Sequence, residues 1–150
     1  MAEEVLLIGH HTPLGKKLTE YLLAEGSSVV RTVLPGEEAE PSRQSKEEEK
    51  LLSSVEWNRS SPISTHNVIL ETFTYHEKLD RVLFIFDTTK DNRALHEISL
   101  AEIEKFIDRR FKGLTFLLKE LIQYYQKNRG VAEISLILHT EGAKVLPPLD

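Results

Sequence analysis

The chain has 150 residues, and its 40% hydrophobic and 29% charged residues are typical of a single globular domain covering residues 1–150. The formal net charge of −5 gives no electrostatic support to a nucleic-acid partner, and the absence of cysteine excludes disulfides, thiolate metal sites and cysteine nucleophiles. No apolar run approaches the roughly 18 residues of a spanning helix and the N-terminus lacks signal-peptide character, so we expect a cytoplasmic protein with no membrane contact.

The first predicted elements are a strand, a glycine turn and a helix. Residues 5–8 (VLLI) are four consecutive apolar residues, a pattern typical of a parallel strand covered on both faces. Thr12 is a good helix N-cap, and Pro13 suits the first helical position because its missing N–H is not needed there. The helix is predicted to stop at Gly26.

The middle of the chain continues the alternation of strands and helices. Residues 28–34 (SVVRTVL) predict a second strand, and residues 51–57 contain the short apolar group of an edge strand. Between them, residues 36–50 are strongly acidic and almost free of apolar side chains, which predicts a solvated, disordered excursion or a frayed helix. Ser64 is predicted to cap the next helix, whose inner side carries Val68, Ile69, Thr72 and Phe73.

The second half contains two more predicted strands. Residues 81–86 (RVLFIF) form the most hydrophobic run and predict a central strand, and residues 87–93 predict a polar loop at its carboxyl end. Residues 133–139 (EISLILH) predict a fifth strand, and residues 143–150 an irregular tail.

The longest predicted helix lies between these two strands. Ser99 with Glu102 forms a capping box at its start, and the helix is expected to extend to Asn128. It carries two apolar stripes, more than one sheet face needs. One stripe is expected to face the sheet: Ile103, Phe106, Ile107, Arg110, Leu114, Leu117 and Leu121.

Strands that alternate with helices at this spacing predict βαβ units, and therefore a three-layer α/β fold with a parallel sheet. Ligands of such sheets bind outside the carboxyl ends of the strands, which places residues 9–15, 87–90 and 139–142 around one crevice. A glycine turn leading into a helix N-terminus binds a dinucleotide pyrophosphate in many α/β folds. The candidate cofactor-binding residues are Gly9, Thr12, Pro13, Leu14, Gly15, Arg31, Asp87 and Thr88.

Each candidate has a plainer alternative. The glycine turn can serve only to start a helix. An NAD site would need an acidic residue about 20 positions beyond the turn, whereas the second strand offers Arg31 and no acid before Glu37. Arg31 is therefore a candidate for the 2′-phosphate of NADP, and its alternative is a solvated side chain at a sheet edge.

Metal and catalytic sites have little support in the sequence. His10 and His11 are adjacent and so diverge, and no histidine has a ligand partner at metal-binding spacing, so no metal site is predicted. Carboxylates near the crevice are more typical of helix caps or solvated loops, and we assign no catalytic residue among Asp87, Asp91 and Glu141.

The order of these pieces resembles the N-terminal part of the short-chain dehydrogenase/reductase family. The family's turn has three glycines in the pattern Gly, three residues, Gly, one residue, Gly; here Gly9, Pro13 and Gly15 occupy those places. Where the family has Asn-Asn-Ala-Gly after its fourth strand, this chain has Asp87-Thr88-Thr89. The resemblance implies a Rossmann-like sheet of about five strands in the order 3-2-1-4-5.

The later motifs of the resembled family are altered or absent. Its long helix carries an Asn-Leu-Lys-Gly step, represented here by Arg110-Phe111-Lys112-Gly113, and its catalytic Ser follows the fifth strand, where this chain has Leu138-His139-Thr140-Glu141-Gly142. No tyrosine is followed by lysine four positions on, so the family's Tyr-x-x-x-Lys is absent. Pro13 removes a donor and fills the space for the pyrophosphate, and Arg110 cannot accept a hydrogen bond.

These departures predict a degenerate or truncated member of the family. The first interpretation is a non-catalytic module that associates with itself and binds NADP or NAD weakly. The alternative is an NAD(P)-dependent oxidoreductase whose catalytic Tyr and Lys lie outside this chain.

The resemblance also implies a subunit interface. In the family the long helix builds a four-helix bundle between subunits, which here predicts a homodimer through the second apolar stripe; the alternative is burial of that stripe under the chain's own tail. An open sheet edge after the fifth strand also favours pairing with another chain. The predicted interface residues are Phe111, Thr115, Leu118, Ile122 and Tyr125.

Overall fold

The computed structural model describes residues 2–37, 45–87 and 93–139. Strands and helices alternate along the chain as predicted. Their order is β1 (Glu4–Ile8), α1 (Pro13–Ala24), β2 (Ser28–Val33), α2 (Lys46–Glu49), β3 (Leu52–Glu56), α3 (Pro62–Tyr75), β4 (Arg81–Asp87), a 3-10 turn (Leu95–Glu97), α4 (Leu100–Ile107), a π-helical turn (Asp108–Lys112), α5 (Gly113–Asn128) and β5 (Glu133–His139).

The five strands form one parallel sheet in the order β3-β2-β1-β4-β5, which confirms the predicted order. In the central strand, Leu6 lies opposite Val30 of β2 and Val82 of β4. Because successive side chains of a strand point to opposite faces, β1 contributes to two apolar layers. Its even-numbered residues pack with α3 and α5, and its odd-numbered residues pack with α1.

The larger core lies between the sheet and helices α3 and α5. Trp57, just after β3, is 1% exposed and meets the ring of Phe84 edge to face, with ring centroids 6.3 Å apart. Its Nε1 donates a hydrogen bond of 2.9 Å to Thr65 Oγ1 of α3. This bond satisfies the polar atom of the largest buried side chain and fixes α3 against the end of β3.

Helix α3 begins three residues earlier than predicted. Ser61, not Ser64, is the N-cap, and its Oγ accepts a hydrogen bond of 3.2 Å from the Ser64 backbone N–H. Pro62 occupies the first helical position, which is the signal that the sequence analysis missed. The Ser64 hydroxyl instead accepts from the Asn58 backbone N–H at 2.9 Å and ties the loop after β3 to the helix.

Other boundaries also differ from the predictions: β1 begins at Glu4, β3 covers Leu52–Glu56 and β4 ends at Asp87. The second strand ends at Val33 instead of Leu34. Within the acidic segment, residues 46–49 form the short helix α2, because Ser45 and Glu48 make a capping box. The remainder of the predicted excursion, residues 38–44, and the tail at residues 143–150 lie outside the described residues.

The long helix is interrupted. It begins at the predicted capping box, in which Ser99 Oγ accepts from the Glu102 N–H at 3.2 Å, but the turn Asp108–Lys112 is π-helical. A π-turn carries an extra residue, which breaks the 3.6-residue repeat between α4 and α5. The helix ends at Asn128 as predicted, and Arg129 follows it in the left-handed conformation, with φ of 49°.

The change of helical repeat alters which apolar residues are covered. Leu117 and Leu121 of α5 are buried in the core as predicted, whereas α4 has no buried residue. Phe106 and Ile107 are 50% and 48% exposed, so the prediction that this whole stripe faces the sheet is wrong for α4. None of the helices that the structure describes is long and apolar enough to span a bilayer.

Two adjacent residues of α5 test this orientation. We expect Leu121→Ala to lower the free energy of unfolding by about 2–5 kcal/mol, because Leu121 is fully buried and its truncation leaves a cavity. Ile122→Ala is the matched control: Ile122 is 55% exposed, and we expect a loss below about 1 kcal/mol. Urea denaturation of both variants measures the difference, and equal losses would contradict the burial described here.

Candidate nucleotide-binding site

The turn between β1 and α1 depends on two glycines that allow close backbone contacts. Gly9 has φ of 96°, and a Cβ on it would lie 2.7 Å from the Ile85 carbonyl oxygen of β4. A Cβ on Gly15 would overlap the Gly9 carbonyl oxygen. Both glycines are therefore needed for the start of α1 to lie over the carboxyl ends of β1 and β4.

Thr12 holds the same turn together. Its hydroxyl donates to the Gly9 carbonyl oxygen at 2.8 Å and accepts from the Gly15 N–H at 2.9 Å. Its backbone N–H also donates to the Gly9 oxygen, at 3.2 Å. The side chain is 1% exposed, so the hydroxyl stabilises the turn from within, and its predicted contact with a cofactor stays a prediction.

Only one amide of the first helical turn is left for an anion. Pro13 has no N–H, the Gly15 N–H donates to Thr12 Oγ1, and the Lys16 N–H donates to the Thr12 carbonyl oxygen. The Leu14 N–H has no hydrogen-bond partner among the residues that the structure describes. A helix N-terminus with one free donor retains part of the anion-binding capacity of a dinucleotide turn.

Arg31 lies inside the sheet. It belongs to β2, opposite Leu7 of β1 and Ser54 of β3, and its Nε donates to Ser54 Oγ at 3.0 Å. Because β3 covers the outer side of β2, Arg31 is only 9% exposed, and the alternative of a solvated edge side chain is wrong. Its proposed contact with a 2′-phosphate stays a prediction.

His10 is a buried histidine beside this strand. Its side chain is 9% exposed, and its Nδ1 has no hydrogen-bond partner among the described residues. Burial lowers the pKa of His10 below its usual value of 6.5, and the positive charge of Arg31 lowers it further. Burial and the Arg31 charge therefore favour the neutral form of the His10 imidazole.

A cavity of about 230 Å³ opens where β1, β2 and β4 end. This position agrees with the predicted crevice, since ligands of parallel sheets bind at the carboxyl ends of the strands. The cavity is lined by His11, Leu34, Arg59, Ile85, Phe86, Arg109 and Arg110.

The three arginines of this cavity are the site residues that the sequence analysis missed. Arg59 follows β3, and its guanidinium lies 5.3 Å from the Trp57 ring centroid and donates through Nη1 to the Arg109 carbonyl oxygen at 3.3 Å. Burial and the charges of Arg110 and Arg109 lower the pKa of Arg59 to about 10. Within the described part of the chain, no carboxylate forms an ion pair with any of the three.

Gly113 permits this arrangement. A Cβ on Gly113 would lie 2.7 Å from the Arg59 Cβ and 3.3 Å from the Arg59 carbonyl oxygen. The long helix therefore approaches the loop after β3 closely at the end of the π-turn. The Arg110-Phe111-Lys112-Gly113 step of the sequence lies at this contact.

The remaining predicted residues lie at the ends of β4 and β5. Asp87 is the last residue of β4 and pairs in register with His139 of β5, so the two strand ends meet as predicted. Thr88 and residues 140–142 lie outside the described residues. Across the ranges 2–37, 45–87 and 93–139, no group of three histidines or acids is arranged to hold a metal ion.

Solved structures with the same fold are short-chain dehydrogenases and reductases. The 3-ketoacyl-(acyl-carrier-protein) reductase from Brucella melitensis, complexed with NADH, has 14% identity and a TM-score of 0.71, with 84% of this chain and 51% of that chain covered. The short-chain dehydrogenase from Leptospira borgpetersenii with bound NAD+ has 12% identity and a TM-score of 0.71, with 89% and 51% covered. ElxO with NADP bound has 18% identity and a TM-score of 0.66, with 89% and 54% covered.

This likeness shows that the chain has the Rossmann-like fold of these reductases and confirms the resemblance on which the fold prediction rested. The chain spans about half the length of the structures that it matches. No protein-family model and no curated protein matches it.

The environment of His10 predicts a pH dependence. Since the folded state lowers the pKa of His10, the unfolded chain binds the proton first as the pH falls through 6.5. The free energy of unfolding should therefore fall below that pH and stop falling once the folded state is protonated. Urea denaturation from about pH 7.5 to about pH 5 measures this slope.

The His10→Gln variant should lose this part of the slope, because its side chain does not titrate. His96→Gln is the control, since His96 is exposed and is not among the groups that act on the pKa of His10. An unchanged slope in the His10 variant would contradict the prediction.

Proposed function

We propose that this chain is a degenerate module of the short-chain dehydrogenase/reductase fold that catalyses no hydride transfer, associates with itself and binds NADP or NAD weakly. The observation that carries the binding proposal is the Leu14 amide at the N-terminus of α1, which has no hydrogen-bond partner among the described residues and follows a turn that contributes His11 to the cavity at the strand ends. Its cytoplasmic location, expected from the sequence, stays a prediction.

Weak binding follows from the way the turn uses its donors. Gly9 and Gly15 have the close contacts of a dinucleotide turn, but Pro13 stands where the resembled family has its middle glycine. Pro13 removes one amide and places a ring where the pyrophosphate would approach. The pyrophosphate would keep the Leu14 amide and the positive end of the helix dipole.

The proposal of no catalysis rests on the tyrosines and on Arg110. Proton transfer in the resembled family needs a tyrosine whose pKa is lowered by a lysine. Here Tyr125 is partly buried, its hydroxyl donates to the Leu79 carbonyl oxygen at 2.9 Å, and burial raises the pKa of Tyr125 to about 12. Arg110, at the place of the family's relay Asn, can only donate hydrogen bonds.

Self-association is supported by exposed apolar side chains on the long helix and the edge strand. Phe111 and Ile122 are 59% and 55% exposed, and Leu136 and Leu138 of β5 are 54% and 66% exposed. Tyr125 differs from the rest of the predicted interface because it packs against the core.

The first experiment is a titration of the chain with NADPH and NADH, followed by calorimetry and thermal shift. We expect saturable binding. At 100 times its dissociation constant, the cofactor should stabilise the fold by about 2.7 kcal/mol. The absence of binding at millimolar cofactor would overturn the nucleotide-binding proposal.

Substitution of Pro13 tests the reason for weak binding. Pro13→Gly restores both the amide and the space, and we expect about tenfold tighter binding, because a hydrogen bond to a charged group contributes about 1.5–3 kcal/mol. Pro13→Ala restores the amide but keeps a Cβ, so a smaller gain is expected. No gain in either variant would show that Pro13 does not limit binding.

Ile122 tests the association surface. Ile122→Glu places a charge in the exposed apolar patch and should shift the chain toward monomer in sedimentation velocity. Gln123→Glu is the matched control, since it adds the same charge to the neighbouring exposed position, beside α3. A wild-type chain that is already monomeric, or equal shifts in both variants, would contradict association through this face.

The alternative function is an NAD(P)-dependent oxidoreductase whose catalytic Tyr and Lys lie outside these residues. The observation that favours it is length, since the matched reductases are about twice as long as this chain. A longer coding sequence with a Tyr-x-x-x-Lys beyond Asp150 would support this alternative over the non-catalytic module.

A further inference from the structure

The cavity at the carboxyl ends of the strands collects positive charge in a chain whose net charge is −5. Arg59, Arg109 and Arg110 all line it, and the electrostatic effects on Arg59 come from the other two arginines, which lower its pKa. Glu37 lies in the small adjoining pocket with Arg59, but no carboxylate among the described residues forms an ion pair with the three arginines, and like charges gathered in this way destabilise the fold. A bound anion would remove that cost.

Arg59 is held in place by the fold and not by an ion pair. Its guanidinium lies 5.3 Å from the Trp57 ring centroid and 5.5 Å from that of Phe84, and its Cβ packs against Gly113. A guanidinium has five N–H donors, and one hydrogen bond, to the Arg109 carbonyl oxygen, is made within the described residues. The other donors remain for a ligand.

The π-turn supplies the other two arginines. Arg109 and Arg110 are consecutive, yet both line the cavity. The Arg110 guanidinium lies 5.0 Å from the Phe106 ring centroid, which supports its planar group on an aromatic face. π-turns inside α-helices are frequent at functional sites.

We propose that this cavity binds a phosphomonoester dianion through Arg59, Arg109 and Arg110. A planar guanidinium group can donate two parallel hydrogen bonds to the oxygens of a phosphate. The combined charge of three guanidinium groups, +3, exceeds the charge of a dianion in magnitude. The cavity of about 230 Å³ is smaller than a typical drug-sized ligand site, which suits a phosphate with part of its sugar.

The phosphate can belong to the ribose 2′-position of NADP or to a free nucleotide or sugar phosphate. Both sources present the same chemistry to the arginines. The site uses side chains that the Leu14 amide proposal does not use, so either proposal can fail while the other stands.

The test measures binding of inorganic phosphate, 2′-AMP and 5′-AMP by calorimetry at constant ionic strength, with adenosine as the uncharged probe. The variant is Arg109→Gln with Arg110→Gln. The matched control is Lys105→Gln with Lys119→Gln, which removes the same charge from exposed positions of the same long helix that do not line the cavity.

We expect saturable binding of inorganic phosphate or an AMP isomer to the wild-type chain, none of adenosine, and at least a tenfold loss in the arginine variant against less than twofold in the lysine control. The ligand-free arginine variant should also melt higher than wild type, because two unpaired positive charges are removed from beside Arg59. Tighter binding of 2′-AMP than of 5′-AMP would identify the ribose 2′-phosphate as the ligand. Equal binding of the two isomers would indicate a site for phosphomonoesters in general.

No binding of any phosphate probe to the wild-type chain would overturn the proposal. Equal losses in the arginine and lysine variants would also overturn it, since general charge attraction would then explain the binding. NADH, which has no phosphomonoester, reports on the Leu14 site independently, so its binding to the arginine variant separates the failure of one proposal from that of the other.

Discussion

The close approach of α1 to the end of β1 sets the geometry of the whole site. Gly15 lies against the Gly9 carbonyl oxygen and Gly9 against the Ile85 backbone, so the helix N-terminus can lie directly over the sheet. Thr12 then donates to one end of the turn and accepts from the other. The turn is therefore satisfied by its own hydrogen bonds, and the donors that stabilise it are no longer open to a ligand.

This constraint changes which groups can recognise an anion at the strand ends. In a glycine-rich turn, several backbone amides do so; here the Leu14 amide alone of the first turn of α1 has no partner among the described residues. In the proposed phosphate site, the positive charge comes from Arg59 and the arginines of the π-turn, which line the cavity. Under the two binding proposals, the fold of the matched reductases is kept, and guanidinium groups replace most of the backbone amides in anion recognition. Guanidinium groups bind an anion more strongly and are more costly when unpaired.

The parts of the structure that could be predicted are those that short sequence patterns determine. Local patterns of a few residues explain three of these features: the apolar run of residues 5–8, the Thr12 cap and the capping box of Ser99. Such patterns were enough to predict the alternation of strands and helices. The Ser64 cap failed because Ser61, followed by Pro62, is a stronger start signal at nearly the same place. That error moved a boundary and left the topology unchanged.

The arginine cluster could not be found in this way. Arg59 and Arg109 are 50 positions apart, and each by itself is typical of a solvated surface residue. Their proximity depends on Gly113, whose missing Cβ lets the helix approach the loop after β3. It also depends on the π-turn, which the periodicity of apolar residues does not predict. The sequence shows that the Arg110-Phe111-Lys112-Gly113 step departs from the pattern of the resembled family. It does not show that this step contacts the loop after β3.

The π-turn also connects the cavity to the exposed apolar face of the long helix. Arg110 rests on Phe106, and Phe106 meets Phe111 with ring centroids 6.2 Å apart. Both rings are at least half exposed, and Phe111 belongs to the surface proposed for association, so the ring that supports Arg110 contacts that surface. The strength of the contact between Arg110 and Phe106 depends on how well the two rings are solvated, because desolvation strengthens a cation–π contact. The proposed phosphate site and the proposed association surface therefore meet at the Phe106–Phe111 pair, and we expect substitution of either ring to affect both properties.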